Sequence, residues 1–277
     1  MTIVITGAAG FLGRHLVDHP GFAGTKVIPV SRHRRLGFFH VTDYRQSPEG
    51  DLLIHLAEES NRGLVNKYGE RYADDAAKVV ADFASRPNQR IIYASSGAVY
   101  GDEREDACKV GVPVRATDAY SKYKLRNERI VLDAGGCVVR FSNLVGFGMS
   151  PNNVLSDIIR QVPGSGPLYV RDDGPVRDFL SVRDAASAVT LMANKGATGI
   201  LNVGSGIGTS VRKLAEMALT HTGDGGREII SSSPSSKRSV NVLDISETIN
   251  SLGWKPLVSM QEQLAALILY KAVLEDE

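Results

Sequence analysis

Tyr120 and Lys124 stand four residues apart in YSKYK (120–124), which puts both on one face of a helix. A tyrosine ordinarily titrates at about 10, too high for acid–base work at neutral pH. A lysine ammonium beside it favours the phenolate and lowers that value. The pair is therefore a candidate general acid and base, with Tyr120 as the proton carrier. Upstream, YASSGAVYG (93–101) offers two hydroxyls, Ser95 and Ser96, either able to hold the same substrate oxygen. A Y-x-x-x-K spacing alone also describes an amphipathic helix with its lysine stem laid along the surface. The serine pair and a third feature make the combination far more specific.

That third feature is TGAAGFLGRHL (6–16), in which Gly7, Gly10 and Gly13 recur every third residue between a strand-like run and a helix-like one. In such a turn the first glycine permits the tight bend and the second lets a pyrophosphate approach the backbone. The third lets the helix pack against the strand, and the amides at the helix start face the phosphates. The residue after the second strand then reads the ribose. An NAD site offers an acid there, to accept from the 2′-hydroxyl. This chain has no acidic residue between Asp18 and Asp43; it has VSRHRR (30–35). A carboxylate would repel a 2′-phosphate and an arginine would pair with it, so Ser31 and Arg32 favour NADP over NAD, with Arg34 or Arg35 as helpers.

These residues need elements to position them. Strands are predicted at 3–6, 26–30, 52–56, 90–94 and 136–140, with helices near 12–18, 72–86 and 121–133. That β-α-β order implies a parallel sheet covered by helices on both faces. After Arg140 the pattern changes: Gly, Pro, Ser and Asn cluster at 142–153 and 163–167, and helical stretches follow near 154–161 and 183–194. Residues 231–239 read as a loop, and a last helix over about 260–274 puts Leu264, Leu267 and Ile268 on one face. The expected division is a dinucleotide-binding domain over 1–145 plus parts of 176–206, and a smaller lobe over 146–175 and 207–277.

With 277 residues there is room for one large α/β domain and a small lobe. Lys plus Arg (32) nearly balances Asp plus Glu (31), which gives no electrostatic case for nucleic acid or an anionic membrane. No apolar run is long enough to span a bilayer. The N-terminus enters a strand at once, and Cys108 and Cys137 have no metal-like spacing, so a chain with free thiols in a reducing cytoplasm is expected.

Taken together, these motifs resemble the extended short-chain dehydrogenase/reductase family, of the NAD-dependent epimerase/dehydratase type that acts on nucleotide sugars. The resemblance covers nearly the whole chain. TGAAGFLG looks like the family's cofactor turn, DLLIHLA (51–57) its strand beside it, SSGAVYG its serine motif and YSKYK its Tyr-Lys motif. VVRFSNLVG (138–146), VRDFLSVRDAA (176–186), LNVGSG (201–206) and LDISETINSLGWKP (243–256) resemble its C-terminal motifs. The fold implied is α/β: a Rossmann-type doubly wound parallel sheet with a smaller C-terminal substrate-binding lobe. The resemblance implies Tyr120 as acid/base, Lys124 as its tuner and a ligand of the nicotinamide ribose, and Ser96 as the catalytic, substrate-holding serine. It implies cofactor contacts at Gly7, Gly10, Phe11, Leu12, Gly13, Ser31, Arg32, Asp43 (near the adenine), Leu56, Ala57, Tyr120, Lys124, Phe141 and Ser142. Asn143 would touch the phosphate side of the nucleotide sugar and Arg177 the diphosphate, unless Arg177 pairs with Asp178 or Asp173. Homodimers through the helices near 72–86 and 121–133 are implied as well.

Three departures stand out. The helix segment RYADDAAKVV carries no asparagine, where the family has one early on. HLAEES puts Glu58 and Glu59 where small residues are common, beside the expected substrate. The charged loop 102–119 carries Asp118 where a proline often precedes the Ala-Tyr step. Dehydratases of the family carry an Asp-Glu pair after a threonine in the serine motif; here Gly97-Ala98 stands there, which removes the group that would expel water. The remaining readings are an NADPH-dependent reductase of a nucleotide-linked 4-keto-6-deoxy sugar, a nucleotide-sugar 4-epimerase with bound NAD(P), and a non-catalytic NADP-binding regulator. An epimerase returns the hydride to its own substrate, whereas a reductase consumes cofactor each turnover and suits NADPH. Ser31 and Arg32 therefore favour the reductase, and the presence of both Tyr120 and Lys124 counts against the regulator.

Overall fold

A computed structural model describes residues 1–104 and 106–275. Seven parallel strands form the main sheet: β1 (Thr2–Thr6), β2 (Lys26–Ser31), β3 (Phe39–His40), β4 (Leu52–His55), β5 (Arg90–Ser96), β6 (Cys137–Phe141) and β10 (Gly199–Val203), in the order β10-β6-β5-β4-β1-β2-β3. The strands are apolar runs because both faces are covered. Ile3 and Ile5 of β1 face one way, against α1 (Gly13–Val17) and α5 (Val182–Lys195); Val4 faces the other, against α2 (Arg62–Ala84) and α3 (Ala119–Asp133). All three are fully buried, each contributing about 1.5–3 kcal/mol relative to exposure.

The chain runs outward from β1 to β3, then restarts on the other side of β1 with β4. The carboxyl ends of β1 and β4 thus flank the point where strand order reverses, where open α/β sheets bind their ligands. The glycine turn lies there. Gly7 has φ +70°, and a Cβ on it would come 2.8 Å from the Leu56 carbonyl at the end of β4, so both the backbone angle and the close approach require glycine.

Beyond Phe141 the chain builds a second layer. β9 (Val176–Ser181) pairs with β7 (Asn143–Val145), β11 (Gly208–Ser210) and β13 (Val240–Asn241), while β8 (Leu168–Val170) pairs with β12 (Ile229–Ser231). A separate apolar cluster joins α4 (Val154–Arg160), α6 (Val211–His221) and α8 (Met260–Glu275) through Leu155, Ile158, Leu214, Leu264, Leu267 and Ile268. The remaining helix, α7 (Ser246–Leu252), contacts β10 and α5. No helix among the described residues is long and apolar enough to cross a membrane.

One element differs from expectation. α2 begins at Arg62, not near Tyr72, and breaks its helical geometry at Gly69 (φ +64°, ψ −150°). The early part carries little apolar periodicity, and the left-handed glycine interrupts what there is, so the pattern was legible only beyond the break. The missing asparagine is corrected with it: Asn66 lies within α2 and faces α3.

Candidate active site

Strand alternation separates the two serines. Ser95 Oγ donates to Glu128 Oε1, and Glu128 accepts Arg140 Nε at 3.0 Å and Nη2 at 2.6 Å, so Ser95 belongs to a buried ionic cluster under α3. Ser96 is half-buried and ends β5, its Oγ accepting from the Ala98 amide at 3.2 Å to open the 3₁₀ turn Gly97–Tyr100. Ser121 Oγ of α3 donates to the Ala98 carbonyl at 3.3 Å, and Tyr120 packs in a cluster that Ala98 also joins. The turn after Ser96 and the first turn of α3 are thereby held together.

α3 starts sharply. Asp118 is its N-cap, accepting from the Ser121 amide at 2.9 Å. Asp118 also accepts from the Arg62 guanidinium and from Asn66 Nδ2 at 3.1 Å, while Arg62 reaches Asp102 at 3.0 Å. Burial alone would raise the Asp118 carboxyl; these donors outweigh it and hold it at about 2. The acid in the proline's place thus fixes the helix carrying Tyr120 and Lys124.

Lys124 is buried, and its ammonium donates to Glu58 Oε2 at 2.6 Å and to the Ala94 carbonyl at 2.8 Å. Glu58, expected beside the substrate, instead turns inward, where it also accepts from Tyr93 Oη at 2.7 Å and Asn127 Nδ2 at 2.8 Å. Burial would raise the Glu58 carboxyl, but the Lys124 ammonium, His55 and the hydrogen bonds from Lys124 and Tyr93 together outweigh it and hold it below its usual range. Burial would lower Lys124, but Glu58, with Tyr120 and Glu128, more than offsets it. Both groups stay charged. Glu59 organises the same corner: its carboxylate accepts from the Asn61 amide at 2.8 Å, its own amide donates to Tyr72 Oη at 2.6 Å, and its carbonyl accepts from Tyr123 Oη at 3.2 Å.

Arg32, Thr42, Asp43, Tyr44, Ala57 and Glu58 are among the residues lining a cavity at the carboxyl ends of β2 and β4. Arg32 lies over the Tyr44 ring, 5.3 Å from its centroid. Asp43 caps a short 3₁₀ turn and pairs with Arg45 at 2.5 Å. Ser31 is buried and its Oγ accepts from the His33 amide at 3.0 Å. Leu56 donates its amide to Thr6 O, beside the turn of Gly7, Gly10, Phe11, Leu12 and Gly13. Phe141 ends β6, and Ser142 Oγ next to it is buried without a hydrogen-bond partner among the described residues. Arg32 on the cavity, the glycine turn that a Cβ at Gly7 would crowd, and the separate, unpartnered Ser142 hydroxyl are the groups present that could hold a dinucleotide.

On the other side, Asn143 is exposed, with Nδ2 donating to the Asp178 carbonyl at 3.1 Å. Arg177 does not pair with Asp178 or Asp173. The Asp178 carboxylate accepts from the Ser205, Gly206 and Leu243 amides, and Asp173 pairs with Arg212. Arg177 is held by Ser239, at 3.0 Å to its carbonyl and 2.7 Å to its Oγ, and lies 3.9 Å from Asp102, the carboxylate it shares with Arg62. Sequence reasoning placed Glu58 beside the substrate but not its pairing with Lys124, and it did not place Arg62 or Asn66 at all. For Glu58 the signal was present, as an acid where small residues are common; for the other two it was hidden by the break in α2.

The sequence model of the NAD dependent epimerase/dehydratase family matches residues 3–204. The chain is 26% identical to a dTDP-L-rhamnose 4-epimerase from Burkholderia thailandensis, over 96% of this chain and 93% of that protein. It is 24% identical to a dTDP-6-deoxy-L-talose 4-dehydrogenase (NAD(P)(+)) from Kitasatospora kifunensis, over 96% and 94%. Its fold matches that of a UDP-glucose 4-epimerase from Thermotoga maritima, solved with UDP-glucose, at a TM-score of 0.87 and 23% identity, over 99% of this chain and all of that one.

Proposed function

The chain belongs to the NAD dependent epimerase/dehydratase family, and on that premise we propose that it is a nucleotide-sugar 4-epimerase. The observation that carries the reading is the placement of Tyr120 and Lys124 on the buried side of α3, tied to the turn that follows Ser96. A bound dinucleotide supplies the hydride acceptor and donor. Tyr120 Oη takes the proton of the sugar C4 hydroxyl as that carbon is oxidised to the ketone, and returns it to the same oxygen when hydride is delivered to the opposite face of the carbon. Ser96 Oγ holds that oxygen, and Lys124 keeps an ammonium beside the phenol. Asn143 and Arg177 face the diphosphate, and the cluster around α4, α6 and α8 forms the substrate lobe. Likeness to a dTDP-sugar 4-epimerase supports the choice of epimerase.

A second reading, reduction of a nucleotide-linked 4-keto-6-deoxy sugar with NADPH, is favoured by Ser31-Arg32 and by likeness to a sugar 4-dehydrogenase whose name pairs it with NAD or NADP. The deciding experiment follows product sugars by chromatography with cofactor far below substrate. Conversion of nucleotide hexoses to their C4 epimers without net cofactor loss supports the epimerase. Stoichiometric NADPH loss on 4-keto sugars supports the reductase, and tight cofactor binding without turnover on either panel supports a regulator. We place the cofactor as NADP and the assembly as a homodimer through α2 and α3.

A further inference from the structure

Within the proposed site the Lys124 ammonium already has a resident partner. Glu58 and Lys124 side chains are each 6% exposed and 2.6 Å apart. The Tyr93 and Tyr123 rings lie 5.0 and 5.3 Å from the ammonium, closing an aromatic cage around it. The groups facing the pair leave its charge balance intact. His55 of β4 stands 3.8 Å from Glu58, and burial lowers its pKa to about 4, which keeps it neutral. Tyr93 of β5 and Tyr123 of α3 are pushed up by burial, as is Tyr72 of α2, to about 12. Glu128, one turn along α3, is taken up by Arg140. Tyr120 and Glu59 complete the surroundings.

A fully buried ion pair adds little net stability over apolar residues filling both places, although removing one partner alone strands the other's charge. The pair does, however, change what a ligand meets. A lone lysine ammonium in a low-dielectric site repels a cation; a neutral pair does not. The nicotinamide ring is cationic when oxidised and uncharged when reduced. We propose that Glu58, as the counter-ion of Lys124, sets the redox preference of the site, favouring the oxidised dinucleotide over the reduced one relative to a lysine standing alone. Glu58 is thus a positioning residue that acts through Lys124. The inference rests on the reading of Lys124 as a neighbour of the nicotinamide, and it favours an enzyme that keeps oxidised cofactor bound between turnovers.

The test is equilibrium binding, by fluorescence titration, of the oxidised and reduced forms of whichever of NAD or NADP binds the wild type more tightly. The quantity read is the ratio of the two dissociation constants, oxidised over reduced. In Glu58→Gln, which keeps the shape of the carboxylate, the ratio is expected to rise at least about tenfold. Glu58→Ala, the smaller alternative, is expected to do the same, and a retained near-UV dichroism spectrum identifies a folded variant. In the Glu58→Gln/Lys124→Met double variant both affinities weaken but the ratio returns to within about threefold of wild type, because both charges are gone. A purely structural role would not restore it. An unchanged ratio in a folded Glu58 variant that still binds dinucleotide overturns the inference alone. A wild type that binds neither form overturns the dinucleotide reading together with it.

Discussion

The Tyr120 backbone amide donates to Asn66 Oδ1 at 2.9 Å, across a sequence separation of 54 residues. The same asparagine donates to Asp118 at 3.1 Å, so the first part of α2 grips both the cap and the first turn of α3. Asn66→Ala is expected to lower turnover about 10- to 100-fold, since a small misplacement of the proton carrier is costly. Cofactor dissociation constants, measured in parallel, should stay within about twofold of wild type. Equal loss in both would mean that Asn66 supports the fold rather than the position of Tyr120.

Tyr120→Phe should reduce turnover by about 10²–10⁴-fold while leaving dinucleotide affinity largely intact. The phenol would handle the substrate proton, and the glycine turn that would hold the phosphates does not depend on it. Wild-type turnover in Tyr120→Phe would refute the mechanism.

The two serines should separate cleanly. Ser95→Ala breaks a buried hydrogen bond to Glu128 and should cost about 1–3 kcal/mol of stability, seen as a lower Tm, with turnover per folded molecule unchanged. Ser96→Ala should lower turnover with little change in Tm. The opposite pattern would move the catalytic hydroxyl to Ser95.

Arg32→Ala should weaken NADP by about 1.5–3 kcal/mol, through loss of a charge-assisted contact to the 2′-phosphate, and weaken NAD little. Calorimetric titration of both cofactors measures this. Equal affinity of the wild type for the two would remove the case for NADP.

Asp118 links stability to acid. Its carboxyl is held at about 2 against 3.8 for a free aspartate, so the folded state binds that proton less readily than the unfolded chain does. The resulting stabilisation, about 1 kcal/mol once solvent screening is allowed for, is present above pH ~4 and disappears as pH falls through ~2. Asp118→Asn keeps a capping side chain and removes the charge. Urea denaturation should show it less stable than wild type at neutral pH, with the difference shrinking across that window; a constant difference would deny the linkage.

For the proposed homodimer through α2 and α3, sedimentation velocity at micromolar concentration should give a dimer. A monomer throughout would refute it.

Local chemistry made much of this protein legible from its residues. The apolar runs Ile3–Ile5 and Leu52–Ile54 had to be buried strands, the glycines had to be a turn, and a four-residue spacing had to align Tyr120 with Lys124, because each rests on backbone geometry within a few residues. The start of α2 escaped the same reading because Gly69 resets the helical phase. Which partner each charge takes was decided by the tertiary structure. Glu58 meets Lys124, Arg62 meets Asp102 and Asp118, and Arg177 meets Ser239 rather than its sequence neighbours, because a parallel sheet joins elements separated by long crossovers. Ser95 and Ser96 are indistinguishable by type; the pleat of β5 sends one into the ionic cluster and leaves the other at the strand's end, beside the turn that meets α3.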